Sequence, residues 1–184
     1  MGFEYLPSRK FHLYGLITVP VVQALTASML ATVLAWNNTR DHFNYGYAII
    51  IYILWVISVG IGGVIAVRLS KMRFSVLAGF LSVFGAIIGY LFHWFMLFFL
   101  SGANDGFFIF ITNRLDQGLI VEAGHHNSYL MNVGRTYLLI AWSLEPILYL
   151  YIAYFGGSYQ ANQPFDEVRD SWVNQPPVSD IKLF

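Results

Sequence analysis

Four stretches of the chain, 11–36, 46–67, 75–100 and 136–155, are almost free of polar side chains. A helix on a soluble surface shows a polar face at a 3.6-residue period, and none of these four does. Crossing the ~30 Å hydrocarbon core of a bilayer takes about 20 helical residues, a length that each stretch reaches. The pattern predicts an all-α, integral membrane four-helix bundle with spans over 11–36, 46–67, 75–100 and 136–155. A transmembrane domain of residues 1–156 is then followed by a polar tail, 157–184. The connection between the third and fourth spans is the longest and is expected to be partly helical.

Composition narrows the classes of function. The chain is 57% hydrophobic and 11% charged, whereas soluble domains carry roughly 25% charged residues. Net charge is zero and the basic residues are scattered, so no nucleic-acid partner is expected, since that needs a clustered basic face. The absence of cysteine removes disulfides, thiolate nucleophiles and sulfur-ligated metals together. The first span exceeds a signal-peptide core and ends without a small-residue cleavage pattern, so it reads as a retained helix. Leu6 stands where a myristoylation signal on Gly2 would place a hydroxyl.

Charge then orients the spans. Arg9 and Lys10 precede the first, and Arg68, Lys71 and Arg73 fill the turn between the second and third, while the connection at 37–45 holds only Arg40 beside Asp41. The positive-inside rule places both termini in the cytoplasm, and a bacterial inner membrane is the expected location. Seven basic residues (Arg9, Lys10, Arg68, Lys71, Arg73, Arg169 and Lys182) then lie inside and three (Arg40, Arg114 and Arg135) outside.

Small residues suggest how the spans pack. Ser58, Gly62 and Ala66 recur every four residues in the second span, as do Gly85 and Gly89 in the third. Such rows let helices in lipid approach closely, so the second and third spans are expected to form a tight antiparallel hairpin. In the outer connection, the sequence FFIFI at 107–111 is too short to span and too apolar for a plain loop. The segment 113–132 that follows mixes apolar and charged residues between Gly118 and Gly124, and one or two short interfacial helices fit it.

Glu145, inside the fourth span and just before Pro146, is the first candidate for chemistry. An ionisable group at that depth costs roughly 2.5–3.5 kcal/mol or more, so it faces the bundle interior, pairs, or stays protonated. It is expected at the bundle centre, with Ser143, Gln23 and Thr26 as candidate solvating groups. Three roles stay open: a buried polar pin fixing helix packing, a proton or cation site, and a contact with a partner subunit. His93 joins Glu145 and Ser143 as an intramembrane polar residue.

Under the predicted topology His42, His93, His125 and His126 share the outer side. They are candidate ligands for a metal there, since imidazole suits zinc, copper or iron and Asp41 or Glu122 could complete a coordination sphere. Their spacing matches no helical ligand pair, and no cofactor other than bound lipid is expected. No GxSxG, HExxH or nucleotide-cradling loop appears outside a span, so no catalysis is expected.

The segments PSRKF (Pro7–Phe11), KMRFS (Lys71–Ser75), SLEP (Ser143–Pro146) and PFDEVRDSW (Pro164–Trp172) together resemble a loosely defined family of bacterial four-span membrane proteins. The resemblance covers most of the chain and implies that Glu145 and the 164–172 tail belong to a shared pattern. The family tail carries a cysteine pair where Asp166 and Val168 stand here, so a metal knuckle is not expected in this tail. The tail reads instead as a docking peptide, with Phe165 and Trp172 as anchors and Asp166, Glu167 and Asp170 as an acidic rim. The function expected from the whole is a small accessory or assembly subunit of a larger membrane complex, binding lipid and other subunits or itself. The alternatives are an oligomeric channel or carrier using Glu145, and a metal- or haem-linked subunit using the outer histidines.

Overall fold

The computed structural model describes residues 12–39, 45–117, 120–123, 129–132, 134–166 and 171–172. Four long helices dominate: α1 (Gly15–Asn38), α2 (Tyr45–Ser70), α3 (Ser75–Leu100) and α5 (Arg135–Ala161). All four are long and apolar enough to cross a membrane, which makes the chain multi-pass by length and composition. A shorter helix, α4 (Phe107–Gln117), and two small antiparallel ladders, β1 (Ile120–Ala123) with β2 (Tyr129–Asn132) and β3 (Phe165–Asp166) with β4 (Ser171–Trp172), sit at the bundle ends.

Side chains are distributed in the reverse of a soluble bundle. Ala27, Ala31, Gln23, Ser82, Gly62, Gly63, Gly85, Gly89, Gly156 and Gly157 are buried, while Ile53, Ile57, Ile61, Phe80, Phe84 and Leu144 point outward. In lipid the hydrophobic effect does not drive one helix onto another, so close backbone contact does the work, and small residues permit it. Large apolar side chains then face the acyl chains.

Helix α1 packs against α2 and α3, and α5 packs against the same two, so α2 and α3 lie across a diagonal. The hairpin expected between α2 and α3 is therefore not formed. Their small-residue rows meet α1 instead: Gly62 approaches Gln23 and Thr26, Gly85 approaches Pro20 and Gln23, and Gly89 approaches Ala27. Ala66 is fully buried with Val19 of α1, while Ser58 is half-buried and donates to the Trp55 carbonyl of its own helix at 2.7 Å. A second glycine set closes α2 on α5, because β-carbons on Gly63 and Gly60 would stand 2.9 Å from the Gly157 nitrogen and 3.0 Å from Ile152.

This explains one boundary. The fourth span is expected to end at 155, yet α5 continues through Gly156 and Gly157 to Ala161. The glycines are packing sites against α2 and Ser82 of α3, and tertiary contact outweighs their weak helix propensity of about 1 kcal/mol each.

At the α4 end of the bundle, the segment after α4 forms a β-hairpin in place of a second short helix, pairing Val121 with Met131 and Ala123 with Tyr129. Ile120, Val121 and Tyr129 favour extended backbone. Helix α4 lays Phe110 on Leu97 and Ala35, closing that end, and Asp116 pairs with Arg135 at 3.0 Å.

At the other end, α2 stops at Lys71, whose φ of 51° is left-handed. The Met72 amide returns to the Val67 carbonyl at 3.3 Å and the Lys71 amide to the Arg68 carbonyl at 3.4 Å. This is a left-handed helix end, with Met72 folded back against the Val67 cluster.

Candidate functional site

Glu145 projects from α5 about 15 Å along the helix from Arg135, within roughly one turn of the helix midpoint. Pro146 follows it and supplies no amide hydrogen. The residue is half-buried, on the stripe of α5 that also carries the buried Leu138, Tyr149 and Ala153. It opens sideways into a groove of about 600 Å³ between α2 and α5, lined by Tyr52, Ala141, Leu144, Ile147, Leu148 and Tyr151. The groove wall is apolar apart from this carboxyl and the two phenols. A second, fully apolar groove of about 300 Å³ continues along the same seam, between Ile57–Val64 and Ile152–Tyr159.

The residues expected to surround Glu145 do not converge on it. Ser143 is exposed and donates to the Leu139 carbonyl of its own helix at 2.8 Å. Thr26 donates to Val22 and Gln23 within α1. Gln23 is fully buried and its amide donates to the Val59 carbonyl of α2 at 2.9 Å. Residues two apart on a helix diverge by about 200°, so Ser143 and Glu145 occupy different faces. No hydrogen bond or ion pair joins Glu145 to any other described residue.

Beside the groove the bundle interior holds an aromatic cluster, reached through Tyr52, that the sequence pattern did not reveal. Trp55 of α2 stacks near Tyr149 of α5 at 4.6 Å, His93 of α3 at 5.0 Å and Tyr90 of α3 at 6.0 Å between ring centroids. The Trp55 indole donates to the Ala27 carbonyl at 2.7 Å. His93 Nδ1 lies 3.2 Å from the Ala31 carbonyl, which only accepts, so that nitrogen carries the proton. His93 is thereby tied to α1 within the aromatic cluster. Only its distance from Trp55 in sequence hid the pairing. Three buried polar atoms near these contacts, Gln23 Oε1, Ser82 Oγ and Tyr149 Oη, have no protein partner among the described residues.

Among the described residues no three His, Asp or Glu side chains gather closely enough to hold a metal. His42, His125 and His126, the other candidate ligands, lie outside the described residues, as does Glu167.

The tail anchors fold back onto their own chain. Phe165 is buried, meets Trp172 edge-on at 5.0 Å, and lies under the Arg73 guanidinium at 4.4 Å. The Trp172 indole donates to the Arg68 carbonyl at 3.0 Å, a second donor to a carbonyl that the Lys71 amide also reaches at the end of α2. Phe165 and Trp172 thus pack on the α2–α3 turn, which supplies the Arg73 cation and the Arg68 carbonyl. Asp166 pairs with Ser171 in the ladder beside them.

The chain matches no protein family, no curated protein and no solved structure.

Proposed function

We propose that this chain is a small accessory or assembly subunit of a larger complex in a bacterial inner membrane. It has both termini in the cytoplasm and no catalysis of its own. The observation that carries the reading is the setting of Glu145: the one carboxyl at mid-span lines an apolar groove that opens on the side of the bundle, and no described residue bonds to it. A carboxyl facing acyl chains is costly unless something covers it. The covering group has to arrive from outside the bundle. The basic turn Arg68–Arg73 and the tail latched on it support the orientation, since the positive-inside rule places that end in the cytoplasm.

The test is the mass of the intact particle extracted in mild detergent from the membranes in which the chain is made. The reading predicts a particle heavier than the 20.9 kDa chain, with a different membrane protein in fixed ratio. A solitary chain would overturn it.

A carrier remains the competing reading, and it draws on the buried polar atoms Gln23 Oε1, Ser82 Oγ and Tyr149 Oη, which water would satisfy. Proton or cation flux in liposomes that falls on Glu145→Gln would favour it. No flux in the wild type would end it.

A further inference from the structure

The α2–α5 seam has the dimensions and the chemistry of a helix-docking surface. Its two grooves run from Ala141 to Tyr159 along α5, about 27 Å at 1.5 Å per residue, close to the ~30 Å core thickness. Ala141, Leu144, Leu148 and Tyr151 line it at the three- and four-residue spacing by which one helix receives another. Against this wall stands one unpartnered carboxyl near mid-depth. A lipid can fill the grooves with acyl chains, but its charged groups lie at the interface and reach no group at the midplane.

A second copy of this chain does not answer the carboxyl either. In α1, α2, α3 and α5, Arg68 and Arg135 are the only Lys or Arg residues, and both stand at helix ends. His93, the one basic group well inside a span, is buried and tied to Ala31.

Resting on the accessory-subunit reading, we infer that the α2–α5 seam receives a membrane-spanning helix of a different protein, one that sets a Lys or Arg side chain against Glu145. Ionisable groups within spans pair with one another when they meet. The charge pair fixes the register while the apolar seam provides the contact. The partner is recognised by that chemistry: an apolar segment of about 20 residues interrupted near its middle by one base.

The experiment places a photo-crosslinking amino acid at Leu148 in the full chain and irradiates intact membranes. The expected result is an adduct on a foreign span, mapped by mass spectrometry to within about one helical turn of a Lys or Arg. Glu145→Lys should lower the adduct yield at least about tenfold, and exchanging the partner's base for Glu should restore it. Glu145→Gln, which keeps shape and removes charge, should lower the yield about threefold. Melting curves of both variants show whether the bundle is intact. Adducts confined to lipid, to a second copy or to a span without a base overturn the inference, as does an unchanged yield in Glu145→Gln. If the extracted particle is still heavier than one chain, the accessory-subunit reading survives that failure, whereas a solitary chain removes both.

Discussion

The indole N–H of Trp55 donates to the backbone carbonyl of Ala27 at 2.7 Å, from one fully buried residue to another. This bond ties α2 to α1 where both are small-residue helices, and the same indole ring carries Tyr149, Tyr90 and His93 around it. Trp55→Phe removes the donor but keeps most of the ring, and should cost about 1 kcal/mol. Trp55→Ala also opens a cavity among four helices and should cost about 3 kcal/mol or more. Denaturation in mixed micelles followed by far-UV circular dichroism reads both. Equal losses would mean that packing alone holds Trp55.

The glycines of α2 and α5 make a sharper prediction, because their neighbours are backbone and cannot swing aside. Gly63→Ala would put a β-carbon 2.9 Å from the Gly157 nitrogen, and Gly156→Ala would drive one into the Gly60 carbonyl. Each should destabilise the bundle by about 1–3 kcal/mol, the usual cost of overpacking. Gly106→Ala is the control, since nothing lies within 4 Å of its would-be β-carbon. Its melting temperature should stay at the wild-type value.

These contacts show what the sequence could and could not convey. Span existence was legible because 20 apolar residues have few other uses: 75–100 matches α3 at both ends, and 11–36 and 46–67 lie within four residues of the ends of α1 and α2. Neighbour relations were not legible. Small-xxx-small rows state that a face is close to something, but the partner depends on which helix occupies the cleft, and α1 takes it from both sides. The run of α5 past Phe155 was not legible because helix propensity is local, whereas the contact of Gly156 with Gly60 spans almost a hundred residues. Glu145 was legible as unusual, while its direction depends on the rotation of α5, which an all-apolar helix with little polar contrast does not encode.

Gln23 tests the asymmetry between losing a bond and stranding a group. Its amide donates to Val59 at 2.9 Å while Oε1 is buried without a protein partner. Gln23→Met keeps the volume and removes both polar ends, so stability should change by less than about 1 kcal/mol. Gln23→Ala removes the packing against Gly85 as well and should cost about 2 kcal/mol or more. A large loss in the Met variant would mean that Oε1 is bound to something that matters, such as an ordered water.

The tail latch is measurable by proteolysis, because trypsin can cut after Arg169, between the two ladder strands. Trp172→Phe keeps a ring beside Phe165 but loses the bond to Arg68, a loss of about 1 kcal/mol. The open fraction should rise about fivefold, and cleavage should follow it where opening is fast relative to cutting. Phe165→Ala removes the ring under Arg73 as well as the contact with Trp172, so it should accelerate cleavage further. Unchanged rates in both would show that the ladder does not protect the tail.

Glu145→Gln separates the packing-pin role from the docking role by the sign of its effect. A pin holds its own bundle together, so its loss would lower the melting temperature of the isolated chain. Glu145 makes no hydrogen bond or ion pair to another described residue and lines an apolar groove. Replacing it by a neutral amide should therefore leave the isolated chain unchanged or stabilise it, by at most about 2.5–3.5 kcal/mol where the wild-type carboxyl is ionised. In the native particle the sign should reverse, with the variant releasing its partner at lower detergent concentration than the wild type. Thermal denaturation of the purified chain beside detergent titration of the extracted particle supplies both signs. A destabilised isolated chain would restore the pin and remove the need for a partner at this position.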